Sequence, residues 1–200
     1  MFDTLIERMD LQMNFNRIRK VVVVYDEVGT GKTTALCMLC KNLIKKSQAD
    51  GFVLQKKGNK KRLTALPVNK NGAYQDVLCA VRCKDKTGRD VLIGIGTAGD
   101  IWDAVEQNFM FFDSLFPEEE FSCVFIAVRK QSRLDGLGVA AKSFPLMALE
   151  RKESEGLLNV IRPFVSTLNP IRLPKNASAT QKSQFNANCQ SLAHKLEVMI

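Results

Sequence analysis

Residues 21 to 40, VVVVYDEVGTGKTTALCMLC, constrain the fold more than any other stretch of the chain. Four consecutive β-branched residues, bounded by charge and turn residues, predict a buried strand, because side chains stiff at χ1 pack well on a pleated surface. Gly29 and Gly31 follow and permit a tight backbone reversal. From Lys32 to about Ser47 the tract is apolar nearly all round at ALCMLC, then on one face only through Leu43 and Ile44. That profile predicts a helix that starts deep in the protein and ends at its surface. A strand, a glycine loop and a buried helix in this order place the chain in the α/β class.

The remaining patterns extend that reading. DVLCAVRC alternates, with Val77, Cys79, Val81 and Cys83 on one face; KDKTGRD is turn chemistry, and VLIGIG is a continuous apolar strand. The residues Trp102, Val105, Phe109, Phe112 and Phe116 recur at spacings of three and four, a helix closed by Pro117. FSCVFIAVRK reads as a further strand, residues 145–155 as a helix stopped by Gly156, and LLNVIRPFV as a last strand. A short amphipathic helix is expected over residues 1–14, carrying Leu5, Ile6, Met9 and Met13. A terminal helix over residues 180–200 carries Phe185, Cys189, Leu192 and Leu196. Alternating strands and helices predict a three-layer, mostly parallel sheet covered on both faces, with one antiparallel edge hairpin. With 200 residues, 46% hydrophobic and 25% charged, one domain spanning 1–200 accounts for the whole pattern.

The loop itself points to phosphate. Glycines let successive N–H groups turn inward, the helix N-terminus adds partial positive charge, a lysine reaches the terminal phosphates, and the next hydroxyl binds Mg²⁺. Gly29, Thr30, Gly31, Lys32 and Thr33 supply those parts in that order, with Thr34 behind. The stretch resembles the Walker A motif of P-loop NTPases, G-x-x-x-x-G-K-[ST]. It departs at the first motif glycine, where Asp26 stands, and a side chain there must point away from the phosphates. The wider order is similar to small uncharacterised bacterial P-loop proteins. Those share a hairpin ending in a Gly-Asp turn, here Gly99–Asp100, and a strand ending in A-x-R, here Ala127-Val128-Arg129. The resemblance implies a P-loop NTPase-like fold that binds ATP, or another nucleoside triphosphate, with Mg²⁺.

Phosphoryl chemistry needs a carboxylate near the metal, usually at the end of a neighbouring strand. Asp100 is the candidate for that acid, for Mg²⁺ or for orienting water, and equally for the N-cap of the Trp102 helix. Arg129, with Lys130 and Arg133, follows a strand's C-terminal end and is placed to steady transferring charge; a solvated basic loop is the other reading. The glycines of RLDGLGVAAK suit a lid over the same edge. Gly96 stands where a D-x-x-G switch would have its aspartate, and Asn69–Lys70 lacks the following Asp, so adenine is favoured over guanine.

Two function classes follow. One is an NTPase or small-molecule kinase-like phosphotransferase, with Lys32, Asp100 and Arg129 in catalytic roles and Thr33 and Asp100 on the metal. The other is a non-catalytic, nucleotide-gated module for a partner protein or nucleic acid, which Asp26 and the net charge of +8 favour. Residues 56–62 read as a basic loop suited to an anionic acceptor, and without interleaved aromatics they do not suggest base stacking. No apolar run approaches a membrane span, and the N-terminus lacks the apolar core of a secretory signal. A cytoplasmic protein with reduced thiols is therefore expected. Cys37 and Cys40 sit in a buried helical tract and read as core rather than zinc ligands, and His194 falls off the apolar stripe of its helix.

Overall fold

A computed structural model of the chain describes all residues except 1–16, 27–28, 48–50, 55–59, 64, 99–101, 130, 133–140, 143, 158, 162–172 and 175. In chain order the first elements are β1 (Val21–Asp26), α1 (Lys32–Ser47), β2 (Gly51–Leu54), β3 (Lys60–Arg62), β4 (Leu78–Lys84) and β5 (Asp90–Gly96). There follow α2 (Trp102–Leu115), β6 (Phe121–Arg129), β7 (Gln131–Ser132), β8 (Ala141–Lys142), α3 (Phe144–Ser154), β9 (Val160–Ile161) and α4 (Ala179–Glu197). The fold is α/β around a mixed sheet in the order β3-β2-β4-β5-β6-β1-β9, with β7 and β8 forming a separate pair.

Alternation along the strands divides the core in two. Val22 and Val24 of β1, Ile93 and Ile95 of β5, and Cys123, Phe125 and Ala127 of β6 meet one cluster, which contains α1 and α4. Val21, Val23, Val124, Ile126 and Val128 meet the other, which contains Phe109, Phe112 and Phe116 of α2 and Leu146 and Leu149 of α3. A period of two in β-branched tracts buried on both sides produces this division, since successive side chains point to opposite faces. Gly94 and Gly96 let α2 approach closely: a Cβ on Gly94 would lie 2.8 Å from Phe112 Cζ, and one on Gly96 2.6 Å from the Asn108 amide. The aromatic contacts continue through Phe112 and Phe121, whose ring centroids are 5.0 Å apart, and through Phe116 against Phe121 at 5.6 Å.

The parallel pairings are β5–β6, β6–β1 and β1–β9. The expected hairpin is β4–β5, with Leu78 opposite Gly96 and Lys84 opposite Asp90. The antiparallel side is larger than that hairpin, because β2 pairs with β4 and β3 with β2. Here the reading of residues 56–62 as a loop is corrected for its last three residues: Lys60–Arg62 is a strand, with Arg62 opposite Phe52, while residues 56–59 lie outside the described residues. A charged composition suits such an edge, where lysines discourage further pairing. The helix expected over 1–14 lies outside the described residues, as does the part of the expected last strand after Ile161. Among the described residues, no helix is long and apolar enough to cross a membrane.

All six cysteines are free and buried. Cys40 and Cys79 share a thiol hydrogen bond of 3.5 Å between α1 and β4. Burial pushes Cys37, Cys123 and Cys189 up to about 12 from an ordinary 9.0. The folded chain therefore holds these protons more tightly than the unfolded chain. Their contribution to stability is complete below pH 9 and is lost as pH rises toward 12. At pH 8 the folded thiols are expected to react with iodoacetamide about a thousandfold more slowly than in denaturant, since only the thiolate attacks. Mass spectrometry after timed quenching measures the ratio, and equal rates would contradict the burial.

Candidate functional site

The site lies where β1 and β6 end together, with Asp26 opposite Arg129 in register. From β1 the chain leaves over the α1 face toward β2, whereas from β6 it leaves over the α3 face toward β9, on the far side of β1. Adjacent strands whose connections depart in opposite directions open a crevice at their carboxyl ends, the usual ligand position in open α/β sheets.

The loop from β1 to α1 occupies this crevice. Gly29 and Gly31 have φ of 79° and 92°, the left-handed region that glycine enters without penalty. Gly31 also starts the helix ladder, its carbonyl accepting from Ala35 N–H at 2.8 Å. Beyond it, the first amides of α1 have no partners within the helix. The first turn carries no acid, so the positive end of the helix dipole is not offset there. Lys32 is buried, and its Nζ donates to the Asp26 carbonyl at 2.9 Å. Asp26 itself is buried at the strand end. The lysine is thus held along the loop rather than extended into solvent.

A cavity of about 240 Å³ opens over the loop, lined by residues 29–34 together with Asp76, Thr97, Ala127 and Phe185. Thr33 Oγ1 donates to Asp76 Oδ1 at 3.1 Å, and Thr97 Oγ1 lies at the same distance from that oxygen. Thr97 also accepts from Val77 N–H at 2.7 Å, so the end of β5 is tied to the residues leading into β4. Asp76 was not among the residues singled out from sequence. It reaches the site because β4 is antiparallel: residues just before its start lie at the edge where β1, β5 and β6 finish. The available signal was the hairpin pattern itself, which already implied a reversed strand beside VLIGIG.

The other candidates are placed as follows. Gly29, Thr30, Gly31, Lys32, Thr33 and Thr34 come together around the cavity. Arg129 stands at the end of β6, beside the strand that carries the loop. Asp100, Lys130 and Arg133 lie outside the described residues, as does most of the glycine-rich connection; its two flanks pair as β7 and β8. Just after β5, the Ala98 carbonyl accepts from the buried Asn108 amide of α2 at 3.0 Å. His194 is exposed, and Cys37 and Cys40 belong to the core. From the other side, α4 lies against the loop. Cys189 Sγ donates weakly to the Gly31 carbonyl at 3.7 Å, and a Cβ on Gly31 would come within 2.6 Å of that sulfur and 3.0 Å of Phe185 Cζ.

Among the described residues, no group of three or more His, Cys, Asp or Glu side chains is arranged to hold a metal. A dedicated all-protein metal cage is therefore not formed by them. The pair Thr33 and Asp76 offers hard oxygen ligands on one side of the cavity, the donor set that suits Mg²⁺ when phosphates and waters complete its shell. Comparison with family models, with curated proteins and with solved structures gives no match.

Proposed function

We propose that the chain is a P-loop-type nucleotide-binding protein with a three-layer α/β fold that takes ATP, or another nucleoside triphosphate, with Mg²⁺, as an NTPase or phosphotransferase. The observation that carries this reading is the convergence of Lys32, Thr33 and Asp76 on one small cavity at the amino end of α1. Backbone N–H groups of residues 29–33 cradle the phosphate chain, in the manner of amides at a helix start. Lys32 neutralises it, and its Nζ moves from a neutral carbonyl to anionic oxygens. When bound, Mg²⁺ supplies Lewis-acid polarisation of the phosphoryl oxygens. Thr33 and Asp76 hold the ion, and Thr97 keeps the Asp76 carboxylate oriented. Arg129, at the end of the neighbouring strand, stabilises charge on the transferring group.

Asp76 is a second candidate, beside Asp100, for the acid near the metal, and mutation tests its part. Asp76→Asn keeps the shape and removes the charge, so it is expected to weaken nucleotide binding by about 10- to 100-fold in the presence of Mg²⁺. In EDTA the change should be small. Calorimetric titration of ATP with and without Mg²⁺ reads both arms, and equal losses in the two would remove Asp76 from the metal. Turnover of ATP, measured with candidate anionic acceptors, then separates enzyme from binding module. Absence of turnover alongside nucleic-acid binding that weakens steeply with salt would favour the module.

A further inference from the structure

We propose that Phe185 is the platform on which the base of a bound nucleoside triphosphate stacks, and that this makes the site tolerant of base identity. The inference rests on the phosphate-binding reading above. The cavity over the loop, about 240 Å³, falls below the ~300 Å³ at which whole-ligand pockets begin. It accommodates the phosphate chain, and the sugar and base must lie along its rim. On the β4–β5 side that rim is polar, formed by Asp76 and Thr97. On the α4 side its lining is Phe185, the one aromatic among the described residues that border the cavity.

The ring packs against the edge of the α1–α4 core cluster yet is not enclosed by it. The buried stripe of α4 is Cys189, Leu192, Ala193 and Leu196, all C-terminal to it. Phe185 stands one turn ahead of that stripe and remains half-buried. It is also held in place: Cys189, one turn on, touches Gly31, and the Phe185 Cζ and Cε2 atoms reach the same glycine at 3.0 and 3.1 Å from where a Cβ would sit. Ser178 and Gln181 close the start of α4 in a reciprocal capping box, with bonds of 3.2 and 2.8 Å, so the helix is ordered up to the ring. A fixed, partly exposed aromatic beside an anion cradle is what a base needs, since every base offers a π-face. The only acid of α4 is Glu197, at its far end. The helix therefore presents no carboxylate that would select the guanine edge.

Calorimetric titration of the full chain with Mg²⁺ and ATP, GTP, CTP or inorganic tripolyphosphate tests the proposal. Wild type should bind the three nucleotides within about fivefold of one another, and each about tenfold or more tighter than tripolyphosphate, the range expected for one stacked base. Phe185→Ala should lose that advantage and leave tripolyphosphate unchanged, and Phe185→Trp should restore it. If Phe185→Ala melts too low to titrate, Phe185→Leu, which keeps apolar volume without a π-face, carries the same expectation. Equal losses for nucleotides and tripolyphosphate would mean that the ring only props the loop, and would overturn the proposal. So would wild-type nucleotides binding no tighter than tripolyphosphate, or one base exceeding the others by a hundredfold. If neither tripolyphosphate nor any nucleotide binds wild type, the phosphate-binding reading itself fails.

Discussion

Lys32→Ala is expected to lower the affinity for MgATP by on the order of 100-fold, and to abolish whatever turnover the wild type has. Lys32 is buried, and its Nζ already lies on the loop, 2.9 Å from the Asp26 carbonyl. In the proposed complex phosphate oxygens replace that neutral acceptor, and a hydrogen bond to a charged group contributes ~1.5–3 kcal/mol, or roughly 10- to 100-fold. Contact with more than one phosphate oxygen places the effect at the upper end. Lys32→Arg should not rescue it, because the planar fork of guanidinium does not fit where a single ammonium lies along the loop. Calorimetry against MgATP and tripolyphosphate reads the loss, and a melting curve checks that the variant is folded. An unchanged affinity would show that anions, if they bind, do so elsewhere.

The largest effect on stability is expected at Phe112. This ring is fully buried, packs against Phe111 and Phe121 with centroids at 5.3 and 5.0 Å, and faces the bare backbone of Gly94. Phe112→Ala removes the ring from the centre of the α2 face, where the sheet cannot collapse to fill the space. The cost is expected at about 3–5 kcal/mol, a fall in Tm of roughly 10 °C for a chain of this size. Urea unfolding with an unchanged slope and a lower midpoint measures it. A loss below about 1 kcal/mol would mean that α2 is not docked as described.

The strands that carry the site were legible because burial on both faces leaves a continuous apolar run, as in VVVVYD and VFIAV, and few other structures use such a run. The loop between β1 and α1 was legible because its two glycines need a conformation that other residues enter at a cost. The helix α2 was legible from its phenylalanines, whose spacing matches the period of a buried face. β2 and β3 were not. GFVL is only four residues long, and KKR has the composition of a solvated loop; β2 becomes a strand through pairing with β4, a contact between residues far apart in sequence, and β3 by pairing in turn with β2. Asp76 was hidden for a related reason. A lone aspartate before a strand resembles any turn residue, and only the direction of β4 brings it to Thr33. Phe185 was seen as part of an apolar stripe, but helical period identifies a face and not what that face meets.

The helix α4 touches the cradle through Cys189, yet near its other end the Met199 carbonyl accepts from Lys20, the residue just before β1 begins. Lys46, near the tail of α1, reaches Glu197 at 2.6 Å in the same region. Met199 lies ten positions beyond Cys189, most of that span helical, a strut of about 15 Å at helical rise. β1 is thereby bracketed fore and aft by a single rigid rod. It cannot slide along its neighbours without dragging the rod, so the bend between β1 and α1 and residues 197–199 are mechanically in series.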